Sequence, residues 1–145
     1  MTENRPFVIE RTFHSPIAAV WQALTDKDTM RLWYFDVPEF KPEVGCEFSF
    51  TAGKDANKQY VHLCVVKEVI PGRKISHTWR YKGYEGDSLV TFELFEEGED
   101  TKLVLTHSGL ETFPASNPDL AAHNFARGWT QIVTINLKNF LAKKE

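Results

Sequence analysis

The chain reads as an α+β protein: a curved antiparallel sheet, two short helices near the amino terminus and one long carboxy-terminal helix packed across the sheet. Three observations predict this. From Asp119 to Lys144 the apolar residues Phe125, Trp129, Ile132, Val133, Leu137, Phe140 and Leu141 recur at the i, i+3, i+4, i+7 spacing of one helical face. Between Pro42 and Leu110 the period is that of strands, with turn residues between successive runs. A long amphipathic helix that follows such strands must bury its stripe against the sheet they form.

Taken in order, Phe7 to His14 alternates, with Phe7, Ile9 and Phe13 on one face and Arg11 as the odd member of that face. Ser15-Pro16 then announces a helix, serine as the cap and proline in the first turn. Ile17, Val20, Trp21 and Leu24 give it a buried stripe. Thr25-Asp26 ends it and starts a second short helix in which Met30, Trp33 and Tyr34 share a face. Helices this short need the sheet beneath them. The prolines between Asp36 and Pro42 disfavour a central strand.

Cys46 to Thr51 is a strand with Phe48 and Phe50 on one face, and Ala52 to Gln59 reads as a loop. Tyr60 to Ile70 is a long strand, apolar on both faces, whose register stays open; Pro71-Gly72 is a tight turn. Lys74 to Lys82 places Ile75, His77, Trp79 and Tyr81 inward and Lys74, Ser76, Thr78, Arg80 and Lys82 outward. Gly83 to Asp87 turns the chain into Ser88 to Glu96, with Val90, Phe92 and Leu94 on one face. The turn Glu97-Gly98-Glu99-Asp100 leads into Thr101 to Gly109, which carries Leu103, Leu105 and His107.

The 145 residues form one domain, 1–145, of ordinary size. Hydrophobic content of 42% and aromatic content of 13% fit a packed globule. A net charge of -3 offers no field for phosphate backbones, which argues against nucleic acid as a partner. No apolar run is long enough to span a bilayer, and Met1 to Pro6 lacks an apolar signal core, so the expected compartment is the cytoplasm. Cys46 and Cys64 have neither zinc nor redox spacing and read as reduced thiols within strands.

The run Phe13-His14-Ser15-Pro16, then Val20-Trp21-Gln22-Ala23-Leu24-Thr25-Asp26, then Trp33, resembles the opening of the START-like (SRPBCC) superfamily, closest to the branch named after the activator of Hsp90 ATPase. Val66 to Arg73, Thr78-Trp79, Thr106-His107-Ser108-Gly109 and Gly128-Trp129 with Leu137 and Leu141 resemble its later segments. The resemblance implies a helix-grip fold, with an apolar cavity between sheet and long helix. Its members range over carriers of lipids and small ligands, polyketide cyclases, flavonoid or hormone binders and an Hsp90 co-chaperone. The eukaryotic co-chaperone has a further amino-terminal domain, whereas this fold is expected to begin almost at Met1.

Phe48, Phe50, Trp79, Tyr81, Phe92, Leu105, Phe125, Trp129 and Val133 are expected between sheet and helix, as plain core or as walls of a cavity. His77, Tyr81, His107 and Arg11 interrupt apolar faces, and a buried polar group without a partner costs about 1–3 kcal/mol. They form internal pairs, lie at the wet end of the sheet, or orient a carbonyl, phenol or carboxylate in a greasy pocket. The candidate ligand-binding set is thus Phe48, Phe50, His77, Trp79, Tyr81, Phe92, Leu105, His107, Phe125, Trp129 and Val133. His14, His62 and His123 complete the histidines without metal-ligand spacing, and neither a cofactor motif nor a nucleophile elbow is present. The loop Leu110 to Pro118 lies where it would flank a cavity mouth. Three functions compete: binding of a small hydrophobic or aromatic ligand, a chaperone-partner role, and a cyclase or hydrolase using His77 or His107.

Overall fold

A computed structural model describes residues 6–34, 37–55, 58–113 and 127–143. Six strands form one sheet: β1 (Phe7–Phe13), β2 (Glu47–Asp55), β3 (Lys58–Ile70), β4 (Lys74–Tyr81), β5 (Ser88–Glu97) and β6 (Asp100–Ser108). Their spatial order is β1-β6-β5-β4-β3-β2, with every neighbouring pair antiparallel. Consecutive strands from β2 to β6 are therefore a meander, and β1 closes the far edge against β6. The helices α1 (Ile17–Thr25) and α2 (Lys27–Trp33) lie in the connection that takes the chain from one edge strand to the opposite edge strand. Register shifts between Gly53 and Asp55 and between Val66 and Glu68 bend β2 and β3 and help the sheet curve.

The expected loop Ala52–Gln59 is mostly strand: β2 continues to Asp55 and β3 starts at Lys58, with Asp55 paired to Lys58. Turn-prone composition yields here because a two-stranded ladder satisfies the backbone polar groups that a loop would leave to water. The register of β3, open in the sequence, places His62, Cys64 and Val66 inside. Burial pushes the Cys64 thiol up to about 12, so it behaves as an unreactive apolar side chain. Pro16 rather than Ser15 holds the N-cap position of α1, and Ser15 is buried with its carbonyl accepting from Thr101 Oγ1 at 2.8 Å. Asp26 does precede α2, but its carboxylate accepts from Thr29 Oγ1 at 2.6 Å and does not cap the backbone. Ser76, expected outward, is buried.

The carboxy-terminal helix, α3, is described from residue 127 to 143; its expected start at Asp119, and with it Phe125 and His123, lies outside the described residues. Thr130–Leu137 widens to π-helical turns before Lys138–Lys143 returns to α. Ile132, Val133, Thr134 and Ile135 are four successive β-branched residues, the type least suited to tight α turns. The buried stripe is Trp129, Val133, Leu137 and Leu141, each four residues after the last. In a regular α-helix that spacing overshoots a full turn by about 40° each time. Wider turns reduce the overshoot and keep the stripe facing the sheet. Ile132 and Phe140, also expected on that stripe, are half-buried at its margin. Arg11 is exposed and donates from Nε to Thr134 Oγ1 at 2.9 Å, tying β1 to α3.

Candidate functional site

Alternation along β4 turns Ile75, His77, Trp79 and Tyr81 to the interior, where all four are buried. Cross-strand register sets their neighbours: Phe92 opposite Ile75, Val90 opposite His77 and Ser88 opposite Trp79 on one side, His62 opposite Tyr81 on the other. Phe50 and Phe48 follow on β2, opposite His62 and Cys64, and Leu105 and His107 follow on β6, opposite Phe92 and Val90. Trp129 and Val133 descend onto this surface from α3. Ten of the eleven candidate residues are therefore buried in one aromatic interior; the eleventh, Phe125, is outside the described residues.

The polar interruptions of this interior are wired together. The Trp129 indole N–H donates to His107 Nδ1 at 2.9 Å, and His107 Nε2 meets Ser88 Oγ at 2.8 Å. Ser88 Oγ in turn donates to the Trp79 carbonyl at 2.6 Å, and the Trp79 indole donates to the Tyr81 hydroxyl at 2.9 Å. Only one set of protons fits. An indole nitrogen donates and never accepts, so His107 Nδ1 carries a lone pair and Nε2 carries the hydrogen. Ser88 gives its single hydrogen to the carbonyl and accepts from His107. The pair looks like a serine–histidine dyad, but its proton runs the wrong way for base activation of the hydroxyl. Burial pushes His107 down to about 3, helped by the nearby His77. Protonation would put N–H against N–H at Trp129, so His107 is held neutral and works as a structural joint between β5, β6 and α3.

His77 Nδ1 lies 2.8 Å from the Thr78 carbonyl, which only accepts; Nδ1 therefore bears the hydrogen and Nε2 the lone pair. His62 has the same tautomer, with Nδ1 donating to the carbonyls of Tyr60 (3.0 Å) and Phe50 (3.3 Å). Burial pushes both rings down to about 4. Each stays neutral at physiological pH.

Trp129 is clasped by rings. Centroids of Trp79, His107, Phe92 and Tyr34 lie 5.4, 5.9, 6.0 and 6.2 Å from it. Among the described residues a void lies beneath α1 and α2. This void of about 10 Å³, room for about one water, is bounded above by Leu24, Met30, Trp33 and Tyr34. Ile75, His77 and Phe92 form its floor, with Phe40 at the side. Of the candidate residues, His77 and Phe92 border this void.

Sequence reasoning did not single out Ser88 or His62. Ser88 stands two residues before Val90 on the inward face of β5, so alternation was the available signal; His62 depended on the register of β3. Met30, Trp33 and Tyr34 were legible as a helix face but not as a roof. The segment Leu110–Thr112 is a short 3-10 turn, and the rest of the expected lid is outside the described residues. Thr112 Oγ1 accepts from the Asp87 N–H at 2.8 Å, which staples this turn to the β4–β5 connection. Among the described residues no cluster of His, Cys, Asp or Glu could hold a metal ion, and no helix is long and apolar enough to cross a membrane.

Residues 14–142 match the family described as activator of Hsp90 ATPase homolog 1-like protein. The chain belongs to this family, within the START-like (SRPBCC) superfamily. Its six-stranded sheet, paired short helices and long closing helix are the helix-grip fold. Protein MLL2253 from Mesorhizobium loti is similar over 97% of this chain and 99% of its own, with 27% identity and a TM-score of 0.78. BH1534 from Bacillus halodurans is 25% identical with a TM-score of 0.74, over 97% of this chain and 99% of its own. CalU16 from Micromonospora echinospora shares the fold at 21% identity and a TM-score of 0.73, over 96% of this chain and 77% of its own. No curated protein matches the chain.

Proposed function

We propose that this helix-grip protein is a cytoplasmic binding module for a small hydrophobic or aromatic ligand, lodged between the sheet and the helices. The observation that carries this reading is the void beneath α2, walled by aromatic and aliphatic side chains and bordered by one neutral histidine. In this reading the guest enters the space under Met30 and Tyr34. At about 10 Å³ the void admits a larger guest only as its roof parts. The roof suits that: α2 has seven residues, and Met30 is an unbranched side chain that repacks at low cost. Phe48, Phe50, Trp79, Tyr81, Leu105, Trp129 and Val133 then serve as the second layer that keeps the floor rigid.

The test is a tryptophan-fluorescence titration of the full chain with a panel of fatty acids, polyketides and flavonoids, joined to native mass spectrometry of protein from its own host. A saturable response, or a bound mass of a few hundred daltons, is the expected result. Neither occurring would remove the carrier function.

A chaperone-partner role is the second reading, favoured by Leu32 and Val44, which are 68% and 67% exposed. It requires association with the cognate Hsp90 in a pull-down that Leu32→Asp weakens; absence of association excludes it. Catalysis through His107 finds less support, because its fixed tautomer leaves it no free lone pair.

A further inference from the structure

We propose that the guest under α2 is a neutral molecule bearing a hydroxyl or phenol, which it donates to Nε2 of His77. This deepens the ligand-binding reading and rests on it. The argument starts from the tautomer. His77 Nδ1–H is committed to the Thr78 carbonyl at 2.8 Å, so the polar atom left on the ring is an acceptor. The ring borders the void, with Phe48 at 5.2 Å and Phe92 at 6.4 Å between centroids, an apolar setting in which a donor to that acceptor gains most.

The indole donors of the surrounding walls are already engaged. Trp33 Nε1 gives its hydrogen to the Ala23 carbonyl at 2.9 Å, Trp79 gives its own to Tyr81, and Trp129 to His107. A guest that only accepts, such as an ether or ester, finds no indole N–H here. The Tyr34 ring also borders the void and lies against Trp33, Phe50 and Trp129. Among the described residues no lysine, arginine, aspartate or glutamate lines the void, so a carboxylate would be buried there without a counter-charge. A hydroxyl meets both conditions. It is neutral, and it supplies the hydrogen that His77 can accept.

The experiment uses the full chain at pH 7 with three single-ring probes: phenol, which donates; anisole, which only accepts; and benzoate, which is charged. Affinities are read by tryptophan fluorescence, and the contact by the ¹⁵N shift of His77 Nε2. Phenol is expected to bind about ten-fold more tightly than anisole or benzoate and to move the Nε2 resonance. His77→Leu should bring phenol down to the affinity of anisole. Phenol and anisole binding within about two-fold of each other in the natural chain would overturn the assignment, while the carrier function would stand. An unmoved Nε2 resonance at saturating phenol would overturn it too, without relying on the folding of the variant. Failure of all three probes to bind at millimolar concentration would overturn both.

Discussion

Acidification should unfold this protein through its interior histidines. In an unfolded chain each has an ordinary pKa near 6.5; in the fold, burial lowers His62 and His77 to about 4 and His107 to about 3. A lowered pKa means that the folded state refuses a proton the unfolded state accepts. Stability is therefore complete above about pH 6.5 and is lost as pH falls, until the folded-state values themselves are reached. Between pH 7 and pH 5 the loss is about 2 kcal/mol per histidine, or about 6 kcal/mol for the three. That is comparable to the whole stability of an ordinary domain, about 5–15 kcal/mol. Urea unfolding at pH 7, 6 and 5 measures it directly, and the slope of unfolding free energy against pH should approach three protons near pH 5. His107→Gln should lower that slope by about one proton. A free energy of unfolding that stays flat within about 1 kcal/mol across this range would refute the neutral, donor-locked assignment of the histidines.

Other perturbations probe the same joints. Trp129→Phe keeps an aromatic ring but removes the N–H that His107 Nδ1 accepts; leaving that lone pair buried should cost about 1–3 kcal/mol in urea unfolding and raise the pH at which His107 titrates. Ser88→Ala leaves the His107 Nε2 hydrogen without its acceptor and should cost a similar 1–3 kcal/mol or so, with a matching fall in melting temperature. Gly86→Ala should destabilise more than Gly72→Ala. Both glycines have positive φ, but a methyl at Gly86 would stand 2.5 Å from Phe113 and 2.8 Å from the Thr112 carbonyl, whereas nothing lies within 4 Å at Gly72. Equal melting temperatures for the two variants would contradict the tight approach of the 110–113 turn to the β4–β5 connection.

Periodicity was enough to read β4, β5 and β6, whose inward residues Ile75, His77, Trp79, Tyr81, Val90, Phe92, Leu94, Leu103, Leu105 and His107 are all buried. Those strands are amphipathic, so the face that must be dry is written in the alternation. The same logic failed for β3, because a strand apolar on both faces gives no preferred side. It failed at Ala52–Gln59 too, where turn-prone residues continue a ladder. Local composition cannot register the hydrogen bonds a distant strand offers. The widened turns of α3 had a partial signal in the β-branched run from Ile132 to Ile135, although periodicity alone does not separate α from π turns.

The amino-acid sequence alone determined the element order, the aromatic character of the interior and the family, since each depends on residue types at short spacings. Where the space lies, and the state of each histidine, were decided only in three dimensions. His107 is neutral with its hydrogen on Nε2 because an indole from a helix 22 residues further along the chain meets its other nitrogen. The room under α2 exists because Met30, Trp33 and Tyr34 fall short of His77 on β4. Both facts come from contacts between residues remote in the chain, and no local pattern encodes the distance at which such residues meet.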